Sequence, residues 1–260
     1  MTSESSIASG NGLLSNGIAY ERRGSGRPVV LLHGWCLNSG MWIYAQDALL
    51  RGHEIITIDL AGFGRSAGLA GPYSIARHAD DLASVLVELH LRDVVLVGFA
   101  FGAAVALELA SRRHPSVAAV VSVGIPDAGS SPYEKMPKSM RRDWPDFARR
   151  SAKALFHTAQ SEATIAWLER MFGTASLLVA LETVGVLAAY DPAPAVAKIE
   201  VPVLFVHGDT DPVAPVELGR KCAALAAKGR VEVIPDCGHL IVLDQKNAFH
   251  EAARRFIEAA

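Results

Sequence analysis

The sequence predicts an α/β fold: a mostly parallel β-sheet flanked by helices, with a helical cap inserted late in the chain. Three observations predict it. Short β-branched runs recur along the chain, and their apolarity is continuous rather than alternating, the pattern of strands buried on both faces of a parallel sheet. Amphipathic helical stretches fill the intervals and give a βαβ rhythm. The rhythm then stops between Pro126 and about Val201, where no strand-like run occurs.

The elements follow in order. The first dozen residues have neither a basic nor an apolar leader region, so no secretory signal is expected. Residues 13–23 contain Ser15, Asn16 and Gly17 and predict an antiparallel hairpin at the sheet edge. Core strands are expected at 29–32, 55–60, 94–99, 117–123, 203–206 and 231–234. Leu82, Val85, Leu86 and Leu89 share one helical face between two of them. Prolines at 126, 132, 137, 145, 192 and 194 punctuate the helical insertion. The expected division is a core of residues 1–126 and 198–260 with a cap of residues 127–197. The apolar stretch at 173–190 holds Glu182 and Gly185 and reads as a buried or pocket-lining helix, not a membrane span.

Composition narrows the function. The chain has 260 residues, 50% hydrophobic, enough to bury a full core without disulfides. A formal net charge of -2 argues against a general nucleic-acid or acidic-membrane binder. Cys36, Cys222 and Cys237 form no CxxC or zinc spacing and suit a reducing cytoplasm. The histidines show no ligand spacing and no phosphate-cradling loop occurs, so neither metal nor organic cofactor is expected.

The chemistry centres on Gly98-Phe99-Ala100-Phe101-Gly102, which runs from a strand straight into a helix-forming stretch. Strand, sharp turn and helix, with a glycine two positions to either side, is the context of a nucleophile elbow. Its central residue is alanine, whose methyl group can do no nucleophilic chemistry. Gly64-Arg65-Ser66-Ala67-Gly68 matches Gly-x-Ser-x-Gly literally, but Gly71 and Pro72 interrupt any helix after it, so Ser66 reads as a turn residue. Asp211, in the turn after the 203–206 run, is the expected acid. Asp209 is expected to structure that turn, and Asp127 is the weaker alternative. His239, last in the order nucleophile, acid, histidine, is the expected base. The backbone N–H groups of Trp35 and Phe101 are the expected oxyanion donors, and His33 reads as a hydrogen-bonded structural residue.

With these motifs the chain resembles the α/β-hydrolase superfamily over nearly its whole length. The resemblance rests on His33-Gly34-Trp35, the 59–66 segment, the elbow, His207-Gly208-Asp209-Thr210-Asp211 and Gly238-His239. Within the superfamily, residues 32–38 and 59–66 are similar to the carboxylesterases of biotin synthesis that demethylate a carrier-protein-bound pimeloyl ester. The resemblance implies a capped serine hydrolase of a carboxylic ester or lactone, with Trp35 and Phe101 as oxyanion pair and Asp211 with His239 as acid and base.

Ala100 departs from the family. The favoured explanation is an engineered serine-to-alanine change, because acid, base, oxyanion turn and both glycines remain. The alternatives are a natural pseudoenzyme or ligand-binding protein, and cofactor-free oxygenase or haloperoxidase-type chemistry using His239 alone. An original aspartate or cysteine is less favoured. Between Tyr133 and Lys153, seven basic residues face three acidic ones. A solvated helical face is the favoured reading; the other is a dock, at Arg141 and Arg142, for an acidic carrier protein or a substrate carboxylate.

Overall fold

The computed structural model describes residues 9–129 and 133–260. The first eight residues, within the stretch read above as lacking a leader, lie outside it, as does Pro132. The strands are β1 (Ser9–Leu13), β2 (Ala19–Gly24), β3 (Arg27–Leu32), β4 (His53–Asp59), β5 (Val94–Phe99), β6 (Val117–Val123), β7 (Val203–Gly208) and β8 (Gly229–Ile234). They form one sheet in the order β1-β2-β4-β3-β5-β6-β7-β8. From β4 to β8 neighbours run parallel, and β1 and β2 add an antiparallel hairpin at one edge. Every residue of β5 is buried, as its unbroken apolar run requires.

The helices are α1 (Ile43–Leu49), α2 (Ile75–Glu88), α3 (Phe101–Ser111), α4 (Met136–Arg142), α5 (Trp144–Ala154), α6 (Glu162–Gly173), α7 (Leu177–Ala188), α8 (Ala193–Val196), α9 (Val216–Leu225), α10 (Ile241–Asp244) and α11 (Lys246–Ala259). One layer pairs α1 with α11; α2, α3, α8 and α9 pack side by side in the other. Five helices, α4 to α8, fill the excursion between β6 and β7. Their starts are written locally: Asp143, Ser161 and Ser176 cap α5, α6 and α7 by accepting the N–H three residues on. The apolar stretch at 173–190 contains all of α7, with Val179, Ala180, Thr183, Val184 and Leu187 buried. No single helix among the described residues is long and apolar enough to cross a membrane.

The topology positions the site. From β3 the chain moves one way to β4 and then back across to β5, so the strand order reverses between β3 and β5. Ligands of α/β sheets bind at the carboxyl ends of strands flanking such a reversal. Trp35 follows β3 there, and Ala100 follows β5.

The junction of β5 with α3 is packed backbone to backbone. A Cβ on Gly98 would lie 2.3 Å from the carbonyl oxygen of Gly102, and one on Gly102 would lie 2.4 Å from that of Leu32. Neither contact can be relieved by a side-chain rotation. Gly102→Ala is therefore expected to destabilise the fold by about 3 kcal/mol, at the upper end of overpacking costs. The check is a fall in the urea midpoint with an unchanged denaturant slope.

Candidate active site

Ala100 is the residue between β5 and α3, and its backbone stands at φ 47, ψ -107. That is a strained, left-handed setting for a residue with a Cβ, costing on the order of 1–3 kcal/mol. It is held by a hydrogen bond from Ala100 N–H to the Val123 carbonyl at 2.8 Å and by α3, whose Ala104 N–H donates back to Ala100 at 3.1 Å. The turn sets Ala100 in the wall of a cavity of about 70 Å³.

His239 lines the same cavity from the loop after β8. Its Nδ1–H donates to Asp211 Oδ2 at 2.8 Å, which leaves Nε2 with a free lone pair. Asp211 sits in the turn after β7, and its other oxygen accepts from the N–H groups of Val213 at 2.7 Å and Ala214 at 2.9 Å. Burial alone would raise the Asp211 carboxyl, but His239 beside it and those two amides outweigh burial and hold it below the ordinary carboxylate value. A carboxylate held this way contributes stability that is present above the unfolded carboxylate pKa and is lost as pH falls through its own lower one.

The other acidic residues of the sequence reading sit elsewhere. Asp209 accepts from Cys237 N–H at 3.2 Å and so ties the acid turn to the histidine loop. Asp127 accepts from Gly129 N–H at 2.6 Å within its own turn. Ser66 is buried in a single 3-10 turn after β4, and its hydroxyl accepts from Ala19 N–H at 2.9 Å. The thiols offer no substitute nucleophile: burial raises all three, Cys222 and Cys237 to about 12.

Phe101 is the first residue of α3, where a helix N–H has no intrahelical partner. Among the described residues, no protein acceptor takes the N–H of Phe101 or of Trp35. Both residues line the cavity. His33 fixes the turn that carries Trp35. Leu60 N–H donates to its Nε2 at 2.9 Å, so the ring proton is on Nδ1, which donates to the Gly34 carbonyl at 2.8 Å. Burial lowers its pKa and keeps this tautomer neutral.

The Trp35 side chain reaches away from the sheet. Its indole ring meets Phe147 of α5 and Phe172 of α6 edge-on, at 6.2 Å and 6.3 Å between centroids, and its Nε1–H donates to Thr183 Oγ1 of α7 at 2.9 Å. Thr183→Val keeps the shape but removes the acceptor, which is expected to cost about 1–3 kcal/mol. Thermal melting checks this, with Thr183→Ser melting close to the original chain.

Of the apolar 173–190 stretch, Leu187 lines the cavity and Leu178 is 74% exposed. The rest of the excursion's contribution to the lining comes from Tyr133, Met136, Ser151, Leu155 and Phe172, which no motif marks. Arg141 and Arg142 are exposed at the end of α4. Arg149 and Arg150 are bound to Asp146 at 2.5 Å and 2.8 Å, so the basic run is partly neutralised within α5 itself. Among the described residues, no group of three or more histidine, cysteine or acidic side chains could hold a metal ion.

A profile of the alpha/beta hydrolase family matches residues 29–253. A non-heme chloroperoxidase of Kitasatospora aureofaciens is 27% identical over 251 residues, spanning 87% of this chain and 90% of that one. A pimeloyl-acyl-carrier-protein methyl ester esterase of Nitrosospira multiformis is 25% identical over 259 residues, 91% of this chain and 96% of that one. Among solved structures, an esterase from Exiguobacterium antarcticum superimposes with a TM-score of 0.90 at 26% identity, covering 96% of this chain and 100% of that one.

Proposed function

We propose, for a chain that belongs to the alpha/beta hydrolase family, that its site is that of a serine-type hydrolase of a carboxylic ester or lactone, with Ala100 standing where the parent carries the serine. The observation that carries this reading is the strained backbone of Ala100 at φ 47, ψ -107, beside an intact His239–Asp211 pair. Alanine gains nothing from that strain. A nucleophile does, because the turn lifts its side chain clear of the sheet and toward the histidine.

In the parent form the serine hydroxyl attacks the carbonyl carbon and its proton passes to His239 Nε2. The oxyanion accepts from the N–H groups of Trp35 and Phe101. His239 returns the proton to the departing alcohol, and a water then hydrolyses the acyl-enzyme by the same steps. Asp211 keeps the imidazole in the accepting tautomer and stabilises the imidazolium. Among the described residues of the 127–197 excursion, α4 to α7 act as a cap over the sheet and its flanking helices, while α8 packs against α3 and α9. The lining of Leu37, Phe99, Met136, Leu155, Phe172 and Leu187 suits an apolar acyl group. Relatives named as an esterase and as a methyl ester esterase support the same reaction class.

A second reading is base chemistry by His239 alone, on a substrate that carries its own acidic proton. The intact His239–Asp211 pair favours it, and a chloroperoxidase among the relatives is compatible with it. One assay separates the two. The chain as it stands is expected to bind p-nitrophenyl butyrate without releasing nitrophenolate, and Ala100→Ser to release it. A serine form as inert as this chain would remove the serine-hydrolase reading and leave the second.

A further inference from the structure

The loop that carries His239 is bound to the segment joining α5 and α6 through one carboxylate. Asp244 ends α10, five residues beyond His239. Its Oδ2 accepts from Gly238 N–H at 2.7 Å and from His157 N–H at 2.8 Å. Its Oδ1 accepts from Thr158 N–H at 3.1 Å, from the Thr158 hydroxyl, and from Gln160 Nε2 at 3.4 Å. A single oxygen is thus shared by the residue before the histidine and by a residue of the helical excursion. The segments also meet backbone to backbone. Leu240 N–H donates to the Leu155 carbonyl at 3.0 Å, and a Cβ on Gly238 would lie 2.7 Å from His157 N.

Leu155 gives these bonds a functional direction. Its side chain lines the cavity while its carbonyl holds Leu240, the residue after His239. Any shift of the 155–158 segment against a ligand therefore pulls on both backbone neighbours of the histidine. Hydrogen bonds to an ionised carboxylate are about twice as strong as neutral ones, so the two segments are expected to move together rather than part.

We infer that Asp244 is a positioning residue, which places His239 only while the 155–158 segment is seated. Its part in turnover rests on the serine-hydrolase reading above; the mechanical coupling does not. The test therefore has two arms. In the chain as it stands, amide hydrogen exchange is followed in segments 155–160 and 236–240, with α7 as an internal reference. Asp244→Asn turns an amide donor toward N–H groups. It is expected to speed exchange in both segments by on the order of tenfold, leaving α7 unchanged. Gly238→Ala keeps the carboxylate but wedges the segments apart, and should give the same paired pattern. In the Ala100→Ser background, Asp244→Asn should lower kcat per titrated active site at least tenfold with KM for p-nitrophenyl butyrate held within about threefold, and should move the acid limb of the pH–rate profile.

Faster exchange in only one of the two segments, or in neither, overturns the coupling whether or not Ala100→Ser is active. Paired exchange with an unchanged kcat and an unchanged pH limb overturns the positioning role. If Ala100→Ser itself is inert, the serine-hydrolase reading fails and the exchange arm alone decides the coupling.

Discussion

Ala100→Ser is expected to raise kcat for p-nitrophenyl butyrate by ~10⁴- to 10⁶-fold over the chain as it stands, the size of the loss when a triad serine is removed. The rest of the apparatus needs no rearrangement to receive the hydroxyl. The backbone at position 100 already holds the left-handed elbow conformation, and the hydroxyl adds one atom to a Cβ that faces the cavity. His239 Nδ1 is occupied by Asp211, so Nε2 is the nitrogen available to take the proton. The N–H groups of Trp35 and Phe101 have no protein acceptor among the described residues, so neither must break a bond to receive an oxyanion. A 10⁶-fold change corresponds to about 8 kcal/mol of transition-state stabilisation, which covalent catalysis and its base supply together. Initial rates of both forms at matched concentration give the ratio directly.

Asp211→Asn in the Ala100→Ser background is expected to lower kcat by ~10⁴-fold with little change in KM, because it reverses the histidine's tautomer. The two oxygens of Asp211 have separate duties. Oδ1 accepts from the N–H groups of Val213 and Ala214, while Oδ2 accepts from His239 Nδ1. Asparagine keeps its carbonyl oxygen on the two amides, since turning it would set donor against donor twice. Its NH₂ group then faces Nδ1 and forces that nitrogen to accept. The ring proton moves to Nε2, which can no longer take a proton from the serine. The loss should therefore appear in kcat, with binding of an uncleaved ester to the Ala100 form of the same variant unchanged. An equal loss of ester binding would mean that Asp211 shapes the cavity instead of the base.

Much of this architecture is legible in the residues because two strong patterns write it. Strands covered on both faces must be apolar throughout, so β3 to β7 announce themselves as runs. The elbow is legible because no residue but glycine fits at 98 and 102, where the backbone atoms of Gly102 and Leu32 stand in the way. The order of Asp211 and His239 along the chain, each just after a strand, then leads to a pair that the fold joins at 2.8 Å. The cavity lining is far less legible. In α7 apolar residues face both the cavity and the neighbouring helices, so periodicity cannot distinguish Leu187, which lines the cavity, from Leu178, which is exposed. The basic run reads as one patch in the sequence, yet spacings of three and four residues fold Arg149 and Arg150 onto Asp146. Asp244 carries no motif at all. Two of its partners, Thr158 and His157, lie 86 and 87 positions away, and only the packing of two segments brings them to the carboxylate that also holds Gly238.

The most direct measurement is mass spectrometry of Ala100→Ser after exposure to a fluorophosphonate that captures activated serines. One adduct per chain is expected, located at position 100, absent from the chain as it stands and abolished by adding His239→Ala. No adduct, or an adduct at Ser66 or Ser151 present in both forms, would contradict it.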